Sequence, residues 1–532
     1  MWDYDDQNSN RANSQGLVYQ FNNGVPNQFW ELSGEFQSEW RTRFDAFFAQ
    51  DTWTFNRMTL QGAVRYDHAW SYYPPSRIGG TRFFPTATST PFTKGVNFND
   101  ISPRAGVAYD LFGNGKTSVK GNWGRYLAPA QNAGIYTGAA PTSAIATAAT
   151  RSWVDANGNK VVDCDLTVTG AQNLTAAGGD SCGGLSNLNF GTLTPAITYS
   201  DKLMQGLRPW DYQFGVAVQQ QVVSRVSVEL QWNKRWFDGF YVPRNLAIPT
   251  NAWTPYTITA PSDSRLPNGG GYAVAGFADV DPAFFGRTNY QVQPASDYGK
   301  QYQHWSGFDV TLAMRQTKGI TFQGGTSTGQ TVQDICGVSS QVPEAMLPPQ
   351  ALAIGVNSPG FQAFTVTQGG YTPTQYCHLK SGFLTQFRGL GGYQVPKVDV
   401  EISATYQSKP GQQLAANYNM PSNRTATTPA NQAVVADFLG RAPSGGVANV
   451  TMNLITPGSK YGDRVNELDL RFSKIVRIAN TRTKVSLDMY NAFNAAPVLT
   501  YNQTYSPFTT TWLTPTSVLA ARVIKIGAQL DF

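Results

Sequence analysis

The four cysteines are the residues whose type and spacing point most directly to chemistry. They are Cys164, Cys182, Cys336 and Cys377, and all lie in polar stretches outside the predicted strands. An even number of cysteines in extracytoplasmic loops predicts two disulfide bonds. The local pairing, Cys164 with Cys182 and Cys336 with Cys377, is one of the three connectivities that four cysteines allow, and four free thiols are the alternative. We expect a structural role, in which the bonds restrict loops that are otherwise costly to order.

A segment rich in Asp and Asn lies beside the first cysteine. Side-chain oxygens at Asp155, Asn157, Asn159 and Asp163 have a spacing that can wrap a calcium ion. The glycine of this segment is at its fourth rather than its sixth position, and Leu166 stands where a closing glutamate is needed. An Asx-rich turn without an ion explains the same residues. Calcium is therefore the one cofactor that the sequence suggests, with the ion-free turn as the alternative.

The remaining chemistry-bearing residues form no catalytic or zinc-binding pattern in the sequence. The three histidines, His68, His304 and His378, are scattered, and no glycine-rich phosphate loop follows a strand and opens a helix. Asp and Glu are common on the polar faces of predicted strands, where the lumen of a barrel needs a polar lining in any case. We therefore predict that the chain is not an enzyme.

The composition is typical of a surface that partly faces lipid. Aromatic residues make up 13% of the 532 residues and charged residues only 14%, whereas soluble proteins carry about a quarter charged residues. The sequence contains no run of about 18 apolar residues, which a transmembrane helix would need. The mean hydropathy of -0.31 suits strands that are apolar on one face only.

The net charge of +6 comes without long basic blocks and predicts no nucleic-acid partner. The acidic start of the chain has no apolar segment, which predicts no signal peptide.

Apolar and polar residues alternate with a period of two along most of the chain. The last such run extends from Val518 to Phe532, with Ile524, Ile526 and Leu530 on one face. Runs of about ten residues match a tilted strand that crosses a membrane. We expect the polar faces to line an interior and the apolar faces to meet lipid.

Tryptophans recur near the ends of the predicted strands. They are Trp123, Trp210, Trp232, Trp236 and Trp305. This placement is typical of the aromatic girdle at a membrane interface. Stacking against a ligand is the alternative interpretation.

Short turns and long polar loops alternate between the predicted strands. Turns rich in Gly and Asn, such as Asn23-Gly24, 112–116 and 316–319, suit tight hairpins. The long loops are 68–99, 127–207, 241–302, 333–377, 421–462 and 495–516. This pattern predicts an all-β fold, an antiparallel transmembrane β-barrel with about 15 visible strands, short periplasmic turns and long extracellular loops.

Several segments resemble the barrel of TonB-dependent outer-membrane receptors, specifically the Oar-like branch. They are Phe47–Trp53, Leu60–Asp67, Ser102–Gly113, Asp488–Asn494 and Trp512–Arg522, and together they span almost the whole chain. The resemblance implies a barrel of about 22 strands around an N-terminal plug, preceded by a peptide that engages the TonB protein. It also implies a place in the bacterial outer membrane, among lipid and lipopolysaccharide, and a barrel-assembly machinery that reads the terminal aromatic Phe532.

The sequence departs from this family at its start. Nothing in it resembles a plug, a TonB-binding peptide or an N-terminal carboxypeptidase-like domain, and about seven further strands would be needed before Arg11. We therefore predict one domain, residues 1–532, which is an N-terminally incomplete barrel that reaches TonB only through segments that it lacks. Because an unpaired strand edge in lipid is costly, we expect a truncated product, pairing with another chain or closure as a smaller barrel.

Three functions compete at this point. The first is active import of a scarce nutrient such as a siderophore, an oligosaccharide or a peptide. The second is a passive or structural barrel whose loops serve adhesion or display without energy coupling. The third, a secreted β-enzyme, is disfavoured because no catalytic pattern is found.

Overall fold

The computed structural model describes residues 2–11, 16–22, 24–33, 36–131, 134–190, 197–285, 287, 289–346, 373–425, 428–444, 449–478 and 481–531. Its main element is a 15-stranded sheet, in which fourteen strands follow one another in chain order and the short strand His378–Lys380 is added beside one of them. We call the fourteen strands the wall. They are β1 (Trp2–Arg11), β2 (Phe36–Phe55), β3 (Met58–Tyr73), β4 (Thr93–Asp110), β5 (Thr117–Leu127), β6 (Trp210–Val223), β7 (Val226–Asp238), β8 (Tyr302–Thr317), β9 (Ile320–Asp334), β10 (Leu384–Val395), β11 (Val400–Lys409), β12 (Val465–Ile478), β13 (Thr481–Tyr490) and β14 (Val523–Asp531).

Each wall strand is antiparallel to its neighbour, which confirms the predicted fold class. The β6–β7 pair, for example, runs from Trp210 opposite Asp238 to Val223 opposite Val226. At one end of the wall the strands are joined by turns that need positive φ, as at Asn56 (φ 50°) and Gly319 (φ 84°). Asn and Gly adopt this conformation at low cost. A barrel of about 22 strands stays a prediction.

The apolar side chains of the wall lie on its exposed face. Ile526 is 77% exposed and Leu230 is 51% exposed, although each belongs to a regular paired strand. The opposite face carries polar side chains that hydrogen-bond from strand to strand, such as Lys120 Nζ to Glu229 Oε2 at 2.9 Å. An apolar outer face and a polar inner face are the arrangement of a strand that crosses a membrane.

At the opposite end of the wall the connections fold into small sheets and short helices. We call the described residues within 16–33, 74–92, 128–209, 239–301, 335–383, 410–464 and 491–522 the cap. The cap strands are Leu17–Asn22, Val25–Leu32, Arg77–Ile78, Thr88–Ser89, Ala148–Val154, Gln172–Asn173, Ser181–Cys182, Ile197–Tyr199, Tyr241–Asn245, Trp253–Thr259, Ala273–Val280, Tyr290–Pro294, His378–Lys380, Asn417–Pro421, Asn449–Asn453, Val498–Tyr501, Thr504–Tyr505 and Pro515–Val518.

The helices of the described chain all lie in the cap and are short. The α-helices are Ile135–Gly138, Asp201–Gly206, Cys336–Ser339 and Val435–Leu439. The 3-10 helices are Pro141–Ala144, Thr175–Ala177, Thr250–Ala252, Pro267–Gly269, Pro282–Phe284, Ala295–Asp297, Pro343–Met346 and Thr374–Tyr376. Within the described ranges, none of the helices has the length and apolar character needed to cross a bilayer.

Three details of the sequence prediction are wrong. The predicted hairpin at Gly24 joins Leu17–Asn22 to Val25–Leu32 in a separate five-stranded cap sheet rather than in the wall, because a turn signal is local and does not say which sheet its hairpin joins. The closing strand begins at Val523 rather than Val518, since Pro515–Val518 pairs with Val498–Tyr501 in the cap. The first predicted loop, 68–99, is shorter, because β3 continues to Tyr73 and β4 begins at Thr93.

Candidate functional site: the cap and the inner face of the wall

Four connections of the cap share one apolar core. Its buried residues are Tyr256, Ile258, Ala260, Leu266, Val274, Phe277, Tyr376, Ala416, Tyr418, Met420, Val435, Leu439, Val450, Met452, Leu454, Ile455, Tyr505 and Trp512. Polar groups at its border are bonded to backbone, as in Tyr272 OH to Leu454 O at 2.8 Å and Trp512 Nε1 to Ala415 O at 2.9 Å. The long loops are therefore a packed body, which the polar composition of these segments did not reveal.

Both cysteine pairs of the local connectivity are disulfide-bonded in the structure. Cys164 and Cys182 have Cα atoms 6.4 Å apart, and those of Cys336 and Cys377 are 4.8 Å apart. The first bond packs against Trp153 in a small core of its own. The second joins the start of the helix Cys336–Ser339 to the segment that leads into β10. Each bond therefore links two parts of one cap connection.

The structure brings together the four side chains proposed for calcium, but it pairs them with each other and with backbone. Asp155 accepts the backbone N–H groups of Gly158 and Lys160, each at 2.9 Å. Asp163 accepts the side-chain amides of Asn157 at 2.6 Å and Asn159 at 3.2 Å. These are the bonds of an Asx-rich turn. Among the described residues, no group of three or more His, Cys, Asp or Glu side chains could hold a metal. Calcium binding stays a prediction.

Asp180 positions this loop. Its buried carboxylate accepts Trp153 Nε1 at 2.9 Å, the N–H of Ala156 at 3.1 Å and the N–H of Asp163 at 3.2 Å. Three donors satisfy a buried carboxylate that would otherwise be costly. A lone Asp beside Ser181-Cys182 carries no sequence signal for this role.

An Asp–Arg pair joins two distant connections of the cap. Asp263 accepts Arg265 Nε at 3.0 Å and Tyr505 OH at 2.8 Å. Arg265 in turn donates to the backbone carbonyls of Thr509 at 2.7 Å and Ser506 at 2.9 Å. The side-chain hydrogen bond from Arg265 holds the pKa of Asp263 well below its usual range. Burial raises the pKa of Tyr505, so its hydroxyl stays protonated as a donor.

Two of the three histidines, His304 and His378, contact the ring of Tyr302. His68 stacks on Trp70, with ring centroids 4.1 Å apart, and hydrogen-bonds Asn97 at 2.8 Å. His378 Nδ1 lies 2.9 Å from Asp334 Oδ2 at the point where β9 enters the cap. His304 stacks beside Tyr302 on β8.

Trp305 lies on the inner face of the wall, so the girdle interpretation is wrong for this residue. It pairs with Arg235, whose guanidinium hydrogen-bonds Asp211 on that face at 2.7 Å. A Cβ atom at Gly307 or Gly329 would lie 2.6 Å or 2.4 Å from the indole ring. The two glycines therefore make room for a flat aromatic group that faces the interior. The alternation of β8 carries this signal, because Trp305 is in phase with Asp309 and out of phase with the exposed Phe308.

Three other tryptophans near the ends of wall strands lie on the outer face. Trp123, Trp210 and Trp236 surround Tyr212, with ring centroids 5.4, 4.7 and 5.7 Å from it. Aromatic clusters of this kind suit the interface between lipid and water. Phe532, the predicted assembly signal, lies outside the described residues, which end at Asp531 in β14.

Comparison with known proteins agrees with this architecture. The sequence matches the family described as an outer membrane beta barrel domain over residues 2–325. No curated protein matches the sequence. The family match and the antiparallel strand pairing both indicate an outer-membrane barrel.

Solved structures that resemble the chain do so at low identity. The ferric-catecholate import receptor Fiu from K12 E. coli is 11% identical, with 99% of this chain and 54% of that chain covered and a TM-score of 0.40. The outer membrane transporter YddB from Escherichia coli is 10% identical, with 93% and 55% covered and a TM-score of 0.42. The FrpB iron transporter from Neisseria meningitidis is 9% identical, with 98% and 53% covered and a TM-score of 0.39. The chain thus spans about half the length of these solved chains.

Proposed function

Because the chain belongs to the outer membrane beta barrel domain family and its place is the bacterial outer membrane, we propose that it forms the wall and outer surface of a TonB-dependent receptor. The receptor takes up a scarce nutrient, and the barrel belongs to the Oar-like branch. The observation that carries this proposal is the cap, in which four connections share one buried core above a polar inner face. The segments that resemble such receptors support the same function.

A packed cap favours capture of a specific solute over passive diffusion. A pore that only sieves solutes needs no large ordered body at its mouth, whereas a receptor needs a preformed surface that holds its ligand. The shared core, the two disulfides and the Asp263–Arg265 pair all fix the relative positions of the cap connections. Trp305 and the polar ladder of the wall add an aromatic and hydrogen-bonding path beneath this surface.

The proposed partners follow from the location and from the resemblance. The apolar outer face, with side chains such as Ile526, suits lipid and lipopolysaccharide. The closing strand β14 ends next to Phe532, which we propose as the signal for the barrel-assembly machinery. Energy coupling would reach the barrel through a plug and a TonB-binding peptide, which we propose as parts of the complete receptor.

The test is to compare loss of this gene with loss of TonB in the source bacterium. Uptake of labelled iron chelates, oligosaccharides and peptides is measured in both strains, together with attachment to surfaces. We expect both deletions to abolish uptake of the same solute and to leave attachment unchanged. Loss of attachment with normal uptake of every solute would support the adhesive barrel instead. Uptake that depends on this gene but not on TonB would support the passive barrel.

A further inference from the structure

The short turns at one end of the wall each carry an exposed cation. The five described turns join β2 to β3, β4 to β5, β6 to β7, β8 to β9 and β10 to β11. Their exposed lysines and arginines are Arg57, Lys116, Arg225, Lys318 and Lys397. We call these five turns the basic rim. Because the short turns of an outer-membrane barrel are periplasmic, the basic rim faces the periplasm.

A large apolar side chain is also exposed in or directly beside each turn of the basic rim. These side chains are 44% to 62% exposed, and they are Phe55, Phe112, Val223, Ile320 and Val398. Water disfavours such exposure, whereas the boundary between acyl chains and headgroups accepts apolar and basic side chains together. The pairing of the two kinds of side chain in every described turn is therefore typical of a surface that lies in a membrane interface.

Acidic side chains do not neutralise the basic rim. Asp110 and Asp399 are the acidic residues in or beside the five turns, and both are partly buried. The carboxylate of Asp110 accepts two backbone N–H groups of its own turn, at 3.0 Å and 2.8 Å. Lys116, Lys318 and Lys397 form no ion pair with a described residue. Five cations thus face two carboxylates, and the basic rim keeps a net positive charge.

Backbone hydrogen bonds hold the turns of the basic rim in one row. The carbonyl of Arg57 accepts an N–H of β4 at 2.8 Å, that of Lys116 one of β6 at 2.7 Å and that of Arg225 one of β8 at 2.9 Å. Neighbouring turns are two strands apart, which is about 10 Å. The cations therefore follow the edge of the wall rather than gathering at one point. A lipid leaflet beside the wall can contact all five, whereas a small protein partner would contact only some of them.

The cations at the opposite end of the wall have carboxylate partners. Arg43 Nε lies 3.7 Å from Asp45 Oδ2 on β2, and Arg235 Nη2 lies 2.7 Å from Asp211 Oδ2 between β7 and β6. Charge is balanced locally there. At the basic rim the positive charge remains for an anionic partner.

We propose that the basic rim binds the phosphate groups of anionic phospholipids in the periplasmic leaflet of the outer membrane. The guanidinium and ammonium groups donate to phosphate oxygens. The apolar side chains beside them enter the edge of the acyl-chain region, and the aliphatic stems of Lys and Arg reach from there to the headgroups. The basic rim thereby fixes the depth of the wall in the membrane. This role rests on the outer-membrane location and not on the solute that the receptor takes up.

The test is the association of spin-labelled lipids with the full chain, folded in phosphatidylcholine vesicles. Electron spin resonance gives the association constant of labelled phosphatidylglycerol relative to labelled phosphatidylcholine. We expect a ratio of about three, because one cation near a membrane surface strengthens association with an anionic lipid about fivefold and only one leaflet meets the basic rim. The ratio should approach one at about 1 M salt, which screens charges beyond about 3 Å. A ratio of one at low salt would overturn the proposal.

Two triple variants decide whether the basic rim causes this lipid selectivity. Arg57→Gln, Lys116→Gln and Lys397→Asn together remove three of its cations and should remove at least half of the preference for phosphatidylglycerol. Asparagine is chosen at position 397 because the backbone there has a φ of 70°. Arg57→Lys, Lys116→Arg and Lys397→Arg together keep the charges and should keep the preference. An unchanged ratio in the neutral variant would contradict the proposal.

The matched control removes three exposed cations of the cap. It combines Lys160→Asn, Arg287→Gln and Lys300→Gln, and it changes the net charge of the chain as much as the neutral variant of the basic rim does. We expect the lipid ratio of the parent protein. An equal loss of preference in the control would show that total charge, rather than the basic rim, selects the lipid.

A label in one turn tests the apolar half of the proposal. All four cysteines are disulfide-bonded, so Phe112→Cys supplies a single free thiol for a spin label. In vesicles the label should collide more with oxygen, which dissolves in lipid, than with a water-soluble nickel complex. Val161→Cys in the exposed part of the cap is the control and should show the reverse. If the label at position 112 also collides mainly with nickel, the turn lies in water and the basic rim is instead a surface for an acidic periplasmic protein.

Discussion

The wall and the cap use the same apolar residue types in opposite ways. Leu230 in the wall is 51% exposed, whereas Leu454 in the cap is 0% exposed. Both are regular parts of their structures, because the solvents differ. Lipid surrounds the wall, so an apolar side chain gains little by leaving the surface. Water surrounds the cap, so its apolar side chains must pack against each other. The wall and the cap of one chain are therefore stabilised in different ways, because they face different solvents.

The difference also decides what holds each region together. Wall strands are fixed by continuous antiparallel ladders, such as the one from Arg41 opposite Tyr72 to Phe55 opposite Met58. Backbone groups in a membrane have no water to bond, so the ladder is obligatory. Cap strands are short, and their connections are fixed by a shared core, by disulfides and by the Asp263–Arg265 pair. We therefore expect the cap to be sensitive to side-chain truncation and the wall to be sensitive to charge on its outer face.

The largest effect is expected from Leu454→Ala in the cap. Truncating a fully buried leucine leaves a cavity and should cost about 2–5 kcal/mol of unfolding free energy. The matched control is Leu230→Ala on the outer face of β7, which leaves no cavity and should cost clearly less. Denaturant unfolding in lipid vesicles, followed by proteolysis of the cap, measures both. Equal losses in the two variants would remove the distinction between wall and cap.

The disulfides should rank by the length of chain that each one closes. Cys336 and Cys377 are 41 residues apart and Cys164 and Cys182 are 18 apart. In the chain-entropy treatment the bonds contribute about 4 and about 3 kcal/mol. Replacing both cysteines of each pair by serine, followed by thermal unfolding of the cap, gives the order. A larger loss from the shorter loop would show that packing around Trp153, rather than chain closure, dominates.

The wall was predictable from the sequence, because its signal has a fixed period. The alternation of residues around Ile524 and Ile526, with Gly and Asn in the turns, gave the fold class and the inner and outer faces of most strands. The cap was not predictable, because its core joins residues such as Ile258 and Tyr505 that are far apart in sequence. Its segments are polar on average, and composition does not reveal which of their few apolar residues meet.

The site residues also differ in how well the sequence could predict them. The cysteine pairs were open to prediction because their spacing is local. Trp305 was misassigned because only its place near a strand end was considered, whereas the alternation of β8 puts it in phase with Asp309 on the polar face. The ion pairs of Asp100 with Arg125 and Arg208 were missed because these residues come together only where β4 and β5 separate.

A charge on the outer face of the wall should cost less than a cavity in the cap core, but it should act only in lipid. Leu230→Arg places a cation against the bilayer and should lower the free energy of unfolding in vesicles by about 2–4 kcal/mol. Gln231→Arg is the control, because its side chain points inward next to Asp309 and should cost little. Comparing the refolding yields of both variants in vesicles and in detergent shows whether the loss occurs only in lipid. If Gln231→Arg is the more damaging variant, the inner and outer faces are assigned the wrong way round.

The smallest effect should come from Asp263→Asn, and it should depend on pH. The pKa of Asp263 in the folded protein is lowered, first by its hydrogen bond with Arg265, below the ordinary value of 3.8. A carboxylate with a lowered pKa stabilises the fold fully above its unfolded pKa, and this contribution disappears as the pH falls through the folded pKa. Since the pair is partly exposed, we expect a loss of about 1 kcal/mol in Asp263→Asn at pH 7. The difference from the parent should persist to about pH 5 and shrink only below about pH 4. Thermal unfolding of the cap between pH 2 and pH 8 measures this difference in stability.

Arg424→Gln is the control for Asp263→Asn, since its exposed pair with Asp437 bonds within one connection and should change stability less. A difference that stays constant down to pH 2 would mean that Asp263 acts by packing rather than by charge, and that the two connections are joined by the core alone.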